Sequence, residues 1–199
     1  MRTWSIARSA LNIGAKPLPN CVALLRGINV GGKNKIAMAA LRDMFAAIGL
    51  PNAKSLLQSG NIVFQPGRQS PSAIEKTLEA QSARRLNLPV DYFVRTAAEW
   101  SKLIAANPFA TEAKKDPSHL IVMAFKDAVD GRAVKALQAA VKGPEIVRAK
   151  GRELFISYPA GIGTSKLTSA LIEKMIGQRG TARNWNTVTK LAQLLIDEA

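Results

Sequence analysis

The stretch at residues 24–35, LLRGINVGGKNK, decides between two kinds of fold. From Gly27 to Lys33 it reads G-x-x-x-x-G-K, most of a nucleotide phosphate loop. A true loop of that kind belongs to alternating β and α elements with a parallel sheet. It wraps phosphates in backbone N–H groups, neutralises charge with Lys, and holds magnesium through a Ser or Thr hydroxyl. Asn34 stands where that hydroxyl belongs, and apolar helical spacing starts only at Ile36, outside the motif. The segment therefore reads either as a glycine turn needing positive φ, or as a loop whose N–H groups, beside Arg26, Lys33 and Lys35, hold one phosphate or a nucleic-acid backbone.

The surrounding pattern reads as a split antiparallel unit rather than alternating β-α-β with a parallel sheet. Residues 21–28 are mostly apolar and read as a central strand. Ile36, Met38, Leu41, Met44, Phe45 and Ile48 recur at helical spacing, with Gly49 as the stop. Residues 54–58 and 61–65 flank Ser59-Gly60, a two-residue hairpin turn. Ser72 with Glu75 fits a capping box for the next helix. Residues 90–95 read as a strand, and Thr96 with Glu99 caps a further helix through Trp100 and Leu103.

The second half repeats this order. Residues 119–125 read as a strand, 130–141 as a helix, and 145–149 with 152–158 as a hairpin around Lys150-Gly151. Leu167, Leu171, Ile172 and Met175 mark a helix, residues 181–185 a fourth strand, and Val188, Leu191, Leu194 and Leu195 a final helix. The expectation is an α+β chain with an internal duplication of two ferredoxin-like β-α-β-β-α-β units, each followed by an extra helix. Its parts are an N-terminal extension at 1–19, a first subdomain at 20–110 and a second at 118–199, with the link near 107–117.

Composition narrows the function classes. The formal net charge is +14, which favours an anionic partner. No uninterrupted apolar run is longer than that of residues 120–125, which is too short to cross a bilayer, so no membrane is expected and the location expected is the cytoplasm. One cysteine, Cys21, and one histidine, His119, exclude an internal disulfide and a Cys/His zinc site. No metal or cofactor is expected. The acid-free residues 1–19 resemble a transit peptide, a short peripheral helix or leader sequence, and are read as a peripheral extension.

Three further blocks carry candidate ligand-binding residues. Gln58, Ser59 and Asn61 sit at the first hairpin, where the amides can read hydrogen-bonding edges or simply satisfy a turn. Residues 159–166, PAGIGTSK, form a second glycine-bearing loop before a helix. Thr164 or Ser165 is the expected cap, and Lys166 would sit in the first turn against the helix dipole. Residues 181–187, TARNWNT, offer Arg183 for a phosphate, Trp185 for base stacking or the core, and Asn184, with Asn186 or Thr187 as a cap. With Arg26, Asn29, Gly31, Gly32, Lys33 and Lys35 these make the candidate set, expected to meet in a cleft between the halves. No acid–base pair stands out. Cys21 with His119 is a pair that only space can test, and no catalytic residue is assigned.

Four blocks in order, ALLRGINVGGKNKIAMAALRDMFAAIGL, LLQSGNIVF, LFISYPAGIGTSKLT and GTARNWNTVTKL, resemble the DUF1697 family of small bacterial proteins without an assigned function. The resemblance spans about residues 21–195. It departs at Ser55-Leu56-Leu57, where the family pattern implies Thr-Tyr-Ile. It implies a two-part α+β fold and no reaction. The leading expectation is therefore binding of nucleic acid or another phosphate-bearing ligand. The rivals are an enzyme on a phosphorylated or nucleotide-like small molecule and a scaffold without a ligand.

Overall fold

The computed structural model describes residues 20–29, 31 and 34–197. The expected extension at 1–19, and the candidates Gly32 and Lys33, lie outside the described residues. In the first half β1 (Cys21–Leu25), β2 (Lys54–Leu56), β3 (Asn61–Phe64) and β4 (Tyr92–Thr96) alternate with α1 (Met38–Ala47) and α2 (Pro71–Leu86), and α3 (Ala97–Ala105) follows. A short α4 (Ala110–Lys115) lies in the connection. In the second half β5 (Leu120–Phe125), β6 (Ile146–Lys150), β7 (Glu153–Ser157) and β8 (Gly180–Asn184) alternate with α5 (Gly131–Ala140) and α6 (Ser169–Ile176), and α7 (Trp185–Asp197) closes the chain. The chain is α+β, with two four-stranded antiparallel sheets of order β2-β3-β1-β4 and β6-β7-β5-β8.

Both central strands are buried on both faces. Cys21, Ala23 and Leu25 of β1 pack with Leu41, Phe45, Ile74 and Leu78 from α1 and α2. Their neighbours Val22 and Leu24 face the opposite way, into a cluster shared with Val122 and Phe155 of the second sheet. Trp100 and Leu103 of α3 and Val188 and Leu191 of α7 complete that cluster. Ile121, Met123 and Phe125 of β5 face a third cluster with α5 and α6. Continuous apolar runs in β1 and β5 follow from this double burial. Trp100 Nε1 donates to Val188 O at 3.1 Å and fixes α3 against α7.

Local signals were partly shifted. Thr96 and Glu99 form the expected capping box. The expected Ser72–Glu75 box is not formed: Ser70 caps α2 by accepting from Ala73 N, with Pro71 at the first turn. Glu75 instead turns into the core and accepts from Val94 N at 2.7 Å, and burial raises its carboxyl despite that bond. Strand β2 ends at Leu56, so the connection to β3 is residues 57–60 rather than Ser59-Gly60 alone. Gly60 is required there. Its φ is 72°, and a Cβ would lie 2.8 Å from Leu25 Cβ and 2.7 Å from Ile28 Cδ1.

Candidate functional site

Where the cleft between the halves was expected, the shared cluster and a set of polar bridges occupy the space. Arg183 Nε donates to Asn61 Oδ1 at 2.5 Å. Its terminal nitrogens reach Leu25 O at 2.8 Å, Ser59 O at 3.0 Å and Gly60 O at 3.2 Å, and also Thr181 Oγ1 and Ala182 O. A guanidinium has five N–H groups, so this side chain is fully used. Burial pulls it down to about 10, and it stays charged at neutral pH. Arg183 is a clamp between β8 and the β2–β3 hairpin, with its donors already spent.

Other candidates share that fate. Asn61 is 0% exposed, and its Nδ2 donates to Leu56 O and Ser59 Oγ. Trp185 is 6% exposed within the shared cluster, so its ring packs the core and offers no open face for a base. Asn184 Oδ1 accepts from Thr187 N at 3.0 Å and caps α7, so the cap is neither Asn186 nor Thr187. Arg26 forms a two-point ion pair with Glu173 at 3.0 and 2.8 Å. The Arg95–Glu153, Lys126–Glu79, Arg152–Glu99 and Arg179–Asp91 pairs also join first-half to second-half residues. Lys166 is exposed and lies before α6 rather than in its first turn, because Thr168 caps that helix.

Apart from Lys166, the candidates that remain open gather at the β1–α1 connection and the hairpin beside it. Asn29 and Asn34 hold positive φ, as do Gly27 and Gly31. Asn29 ties the loop together: its Oδ1 accepts from Ile36 N at 2.9 Å, and its Nδ2 donates to Ile36 O and to Gln58 O. Asn34 Nδ2 donates to Gly27 O at 3.0 Å. These bonds set the loop beside the hairpin and leave a groove of about 450 Å³ lined by Asn29, Lys35, Ile36, Ala37 and Gln58. It shares Ala37 and Gln58 with a recess of about 550 Å³ reaching Arg42, Ser55 and Leu57. Among the described residues no carboxylate lines either.

Helix α1 begins at this groove without a cap. The N-cap residue Ala37 has no side chain to accept a bond, and no acidic residue lies in the first turn. Its first N–H groups and the positive end of its dipole therefore lack a protein partner from a capping side chain. Arg42 is held in the recess by Ser55 Oγ at 2.7 Å. Leu57, 55% exposed at φ 61°, forms the outer wall in a conformation that a non-glycine residue adopts under strain. Sequence reasoning missed Arg42, Ser55 and Leu57. Its usable signal was the lack of Ser, Thr, Asp or Asn at position 37.

The groove holds donors and positive charge but no base. Elsewhere, burial and then the Glu99 charge push the Cys21 thiol up to about 12, so it is not a thiolate at neutral pH. His119 Nδ1 bonds half-buried Asp116 Oδ2 at 2.7 Å. No group of three His, Cys, Asp or Glu among the described residues is placed to hold a metal ion. No helix among the described residues is long and apolar enough to cross a membrane.

A family model described as "Protein of unknown function (DUF1697)" matches residues 18–155. The chain belongs to that family. Among solved structures it is similar to a conserved bacterial protein from Streptococcus pneumoniae, at 23% identity and a TM-score of 0.70, covering 88% of this chain and 98% of that one. That likeness shows the fold. No curated protein matches.

Proposed function

We propose that this DUF1697 member binds a small phosphate-bearing ligand in the groove between the β1–α1 loop, the start of α1 and the β2–β3 hairpin. The observation that carries the reading is the uncapped α1 N-terminus opening between Lys35 and Arg42, with no carboxylate among the described residues of the lining. Helix N–H groups and dipole favour an anion there. Lys35 adds a point charge, Arg42 a planar one, and the Gln58 amide a neutral donor and acceptor. The recess beyond, walled by Leu57 and Met38, accommodates an apolar or base-like body. A nucleotide-like molecule meets both requirements.

A polynucleotide is the extended form of the same chemistry, and the net charge of +14 attracts one. Both sheets, however, have their second face filled by the shared cluster, which removes the flat stacking platform that ferredoxin-like RNA binders use. Titration of the whole chain with a nucleoside monophosphate and with a single-stranded oligonucleotide, each at two salt concentrations, separates the two. A groove ligand gives saturable binding with a salt slope near that of one or two phosphates, weakened about tenfold by Lys35→Ala or Arg42→Ala. No saturable mononucleotide binding, or binding indifferent to both substitutions, would remove the proposal.

We further infer that the two halves arose by duplication of one ferredoxin-like unit, with boundaries near residues 20–110 and 118–199. The same element order and the equivalent sheet orders, with the first and fifth strands in the same place, support this.

A further inference from the structure

The second half contains a separate cavity of about 410 Å³ between residues 140–145 and the loop at 160–167. Glu145 lies at its floor, 7% exposed. Its Oε1 accepts the Ser165 hydroxyl, whose oxygen accepts in turn from Leu167 N at 3.0 Å. Its Oε2 lies against Gly143, where a Cβ would collide with it. Among the described residues no Lys, Arg or His forms an ion pair with this carboxylate. The carboxylate thus has one hydroxyl donor and no protein cation, and it lines the cavity, where a ligand cation would offset its desolvation.

The backbone around that floor is fixed. Gln138 bridges Glu145 O at 3.2 Å and Val147 N at 2.7 Å, and the Tyr158 hydroxyl donates to Leu167 O at 3.0 Å. Burial, with the Glu145 charge adding to it, pushes that hydroxyl up to about 12, so it remains a donor. The walls are apolar, with Val141, Leu167 and Leu171 among them, while the exposed Lys142 and Lys166 stand at the rim. One buried anion, two rim cations and apolar walls describe a ligand with separated charges.

We propose that this cavity binds a small zwitterion of the apolar amino-acid class. Its ammonium meets Glu145, its carboxylate meets Lys142 and Lys166, and its side chain lies on Val141, Leu167 and Leu171. The volume falls in the range of small-molecule sites. The site is distinct from the anion groove and does not depend on it.

Calorimetric titration of the whole chain with L-leucine, L-methionine and L-phenylalanine tests it, with isoamylamine and 4-methylpentanoate as single-charge controls. At least one amino acid is expected to bind saturably, and more tightly than either control. Glu145→Gln keeps an acceptor for Ser165 and removes the charge; it is expected to weaken binding at least about tenfold with an unchanged circular dichroism spectrum. Gly143→Ala, whose Cβ displaces the carboxylate, gives a second variant with the same expected loss. Inorganic phosphate is expected not to compete. Absence of saturable binding by all three amino acids, binding by 4-methylpentanoate equal to that of L-leucine, or unchanged affinity in both folded variants would overturn the proposal.

Discussion

The β1–α1 and β5–α5 connections hold the same place in two sheets of equivalent strand order, yet they end in opposite ways. The second is short and finishes at Asp130, whose carboxylate accepts from Arg132 N at 3.1 Å and caps α5. The first is long, rich in Gly and Asn, and finishes at Ala37, which caps nothing. The second half thus supplies its own anion to its helix, and the first leaves that role vacant between Lys35 and Arg42. Both connections carry a lysine, Lys35 in the first and Lys126 in the second, so lysine alone does not make the difference. The residue at the cap does.

That comparison has consequences of decreasing size. The largest concerns the clamp that holds the groove's hairpin from the other half. Arg183→Ala removes donors from Leu25 O, Ser59 O, Gly60 O and Asn61 Oδ1 together. It should cost roughly 3 kcal/mol, read from the midpoint of chemical denaturation. A loss within experimental error would mean the hairpin is held by β1 alone.

Transplanting the cap comes next. Ala37→Asp should raise stability by about 1 kcal/mol by satisfying the first turn of α1. The reciprocal change, Asp130→Ala, should lower it by about the same amount, since α5 then loses its only capping side chain. Paired denaturation curves check both. A stabilisation absent from Ala37→Asp would mean that the α1 N-terminus is already satisfied.

The smallest effect is pH dependent. Burial raises the Glu173 carboxyl, but the hydrogen bond from Arg26, the Gly180 N–H and the charges of Arg26 and Arg179 outweigh it, and the net shift is below the ordinary 4.5. A depressed carboxyl stabilises the fold above its unfolded pKa, and that contribution disappears as pH falls through the folded value. The native chain should therefore lose more stability than Arg26→Gln between about pH 5 and about pH 3. Parallel curves would show that the pair contributes nothing.

How much of this was legible beforehand depended on whether the deciding contact was local. The element order, both hairpins and the Thr96–Glu99 box were read from neighbours a few residues apart. Helix α4 was not, because six residues are too few to show a helical period. Ser72 looked like the cap of α2, but Ser70 and Pro71 start the helix earlier, which frees Glu75 for Val94 N. Arg183, Asn61 and Trp185 looked like a ligand site because they are polar or aromatic and clustered. Their partners lie far off in sequence, Asn61 being 122 residues from Arg183, and no local pattern shows that a guanidinium is already saturated. The groove was half legible: its Lys35 and Gln58 were in view, while Arg42 and Ser55 enter only through folding.

The most direct measurement is a calorimetric titration of a nucleoside monophosphate into the native chain and into Ala37→Asp under identical salt. The account predicts saturable binding to the native chain and a loss of about tenfold or more when the aspartate takes the place left for the phosphate. Equal affinity in both, with Ala37→Asp folded and stabilised, would contradict it: the anion would then bind elsewhere, and the uncapped helix would have no part in recognition.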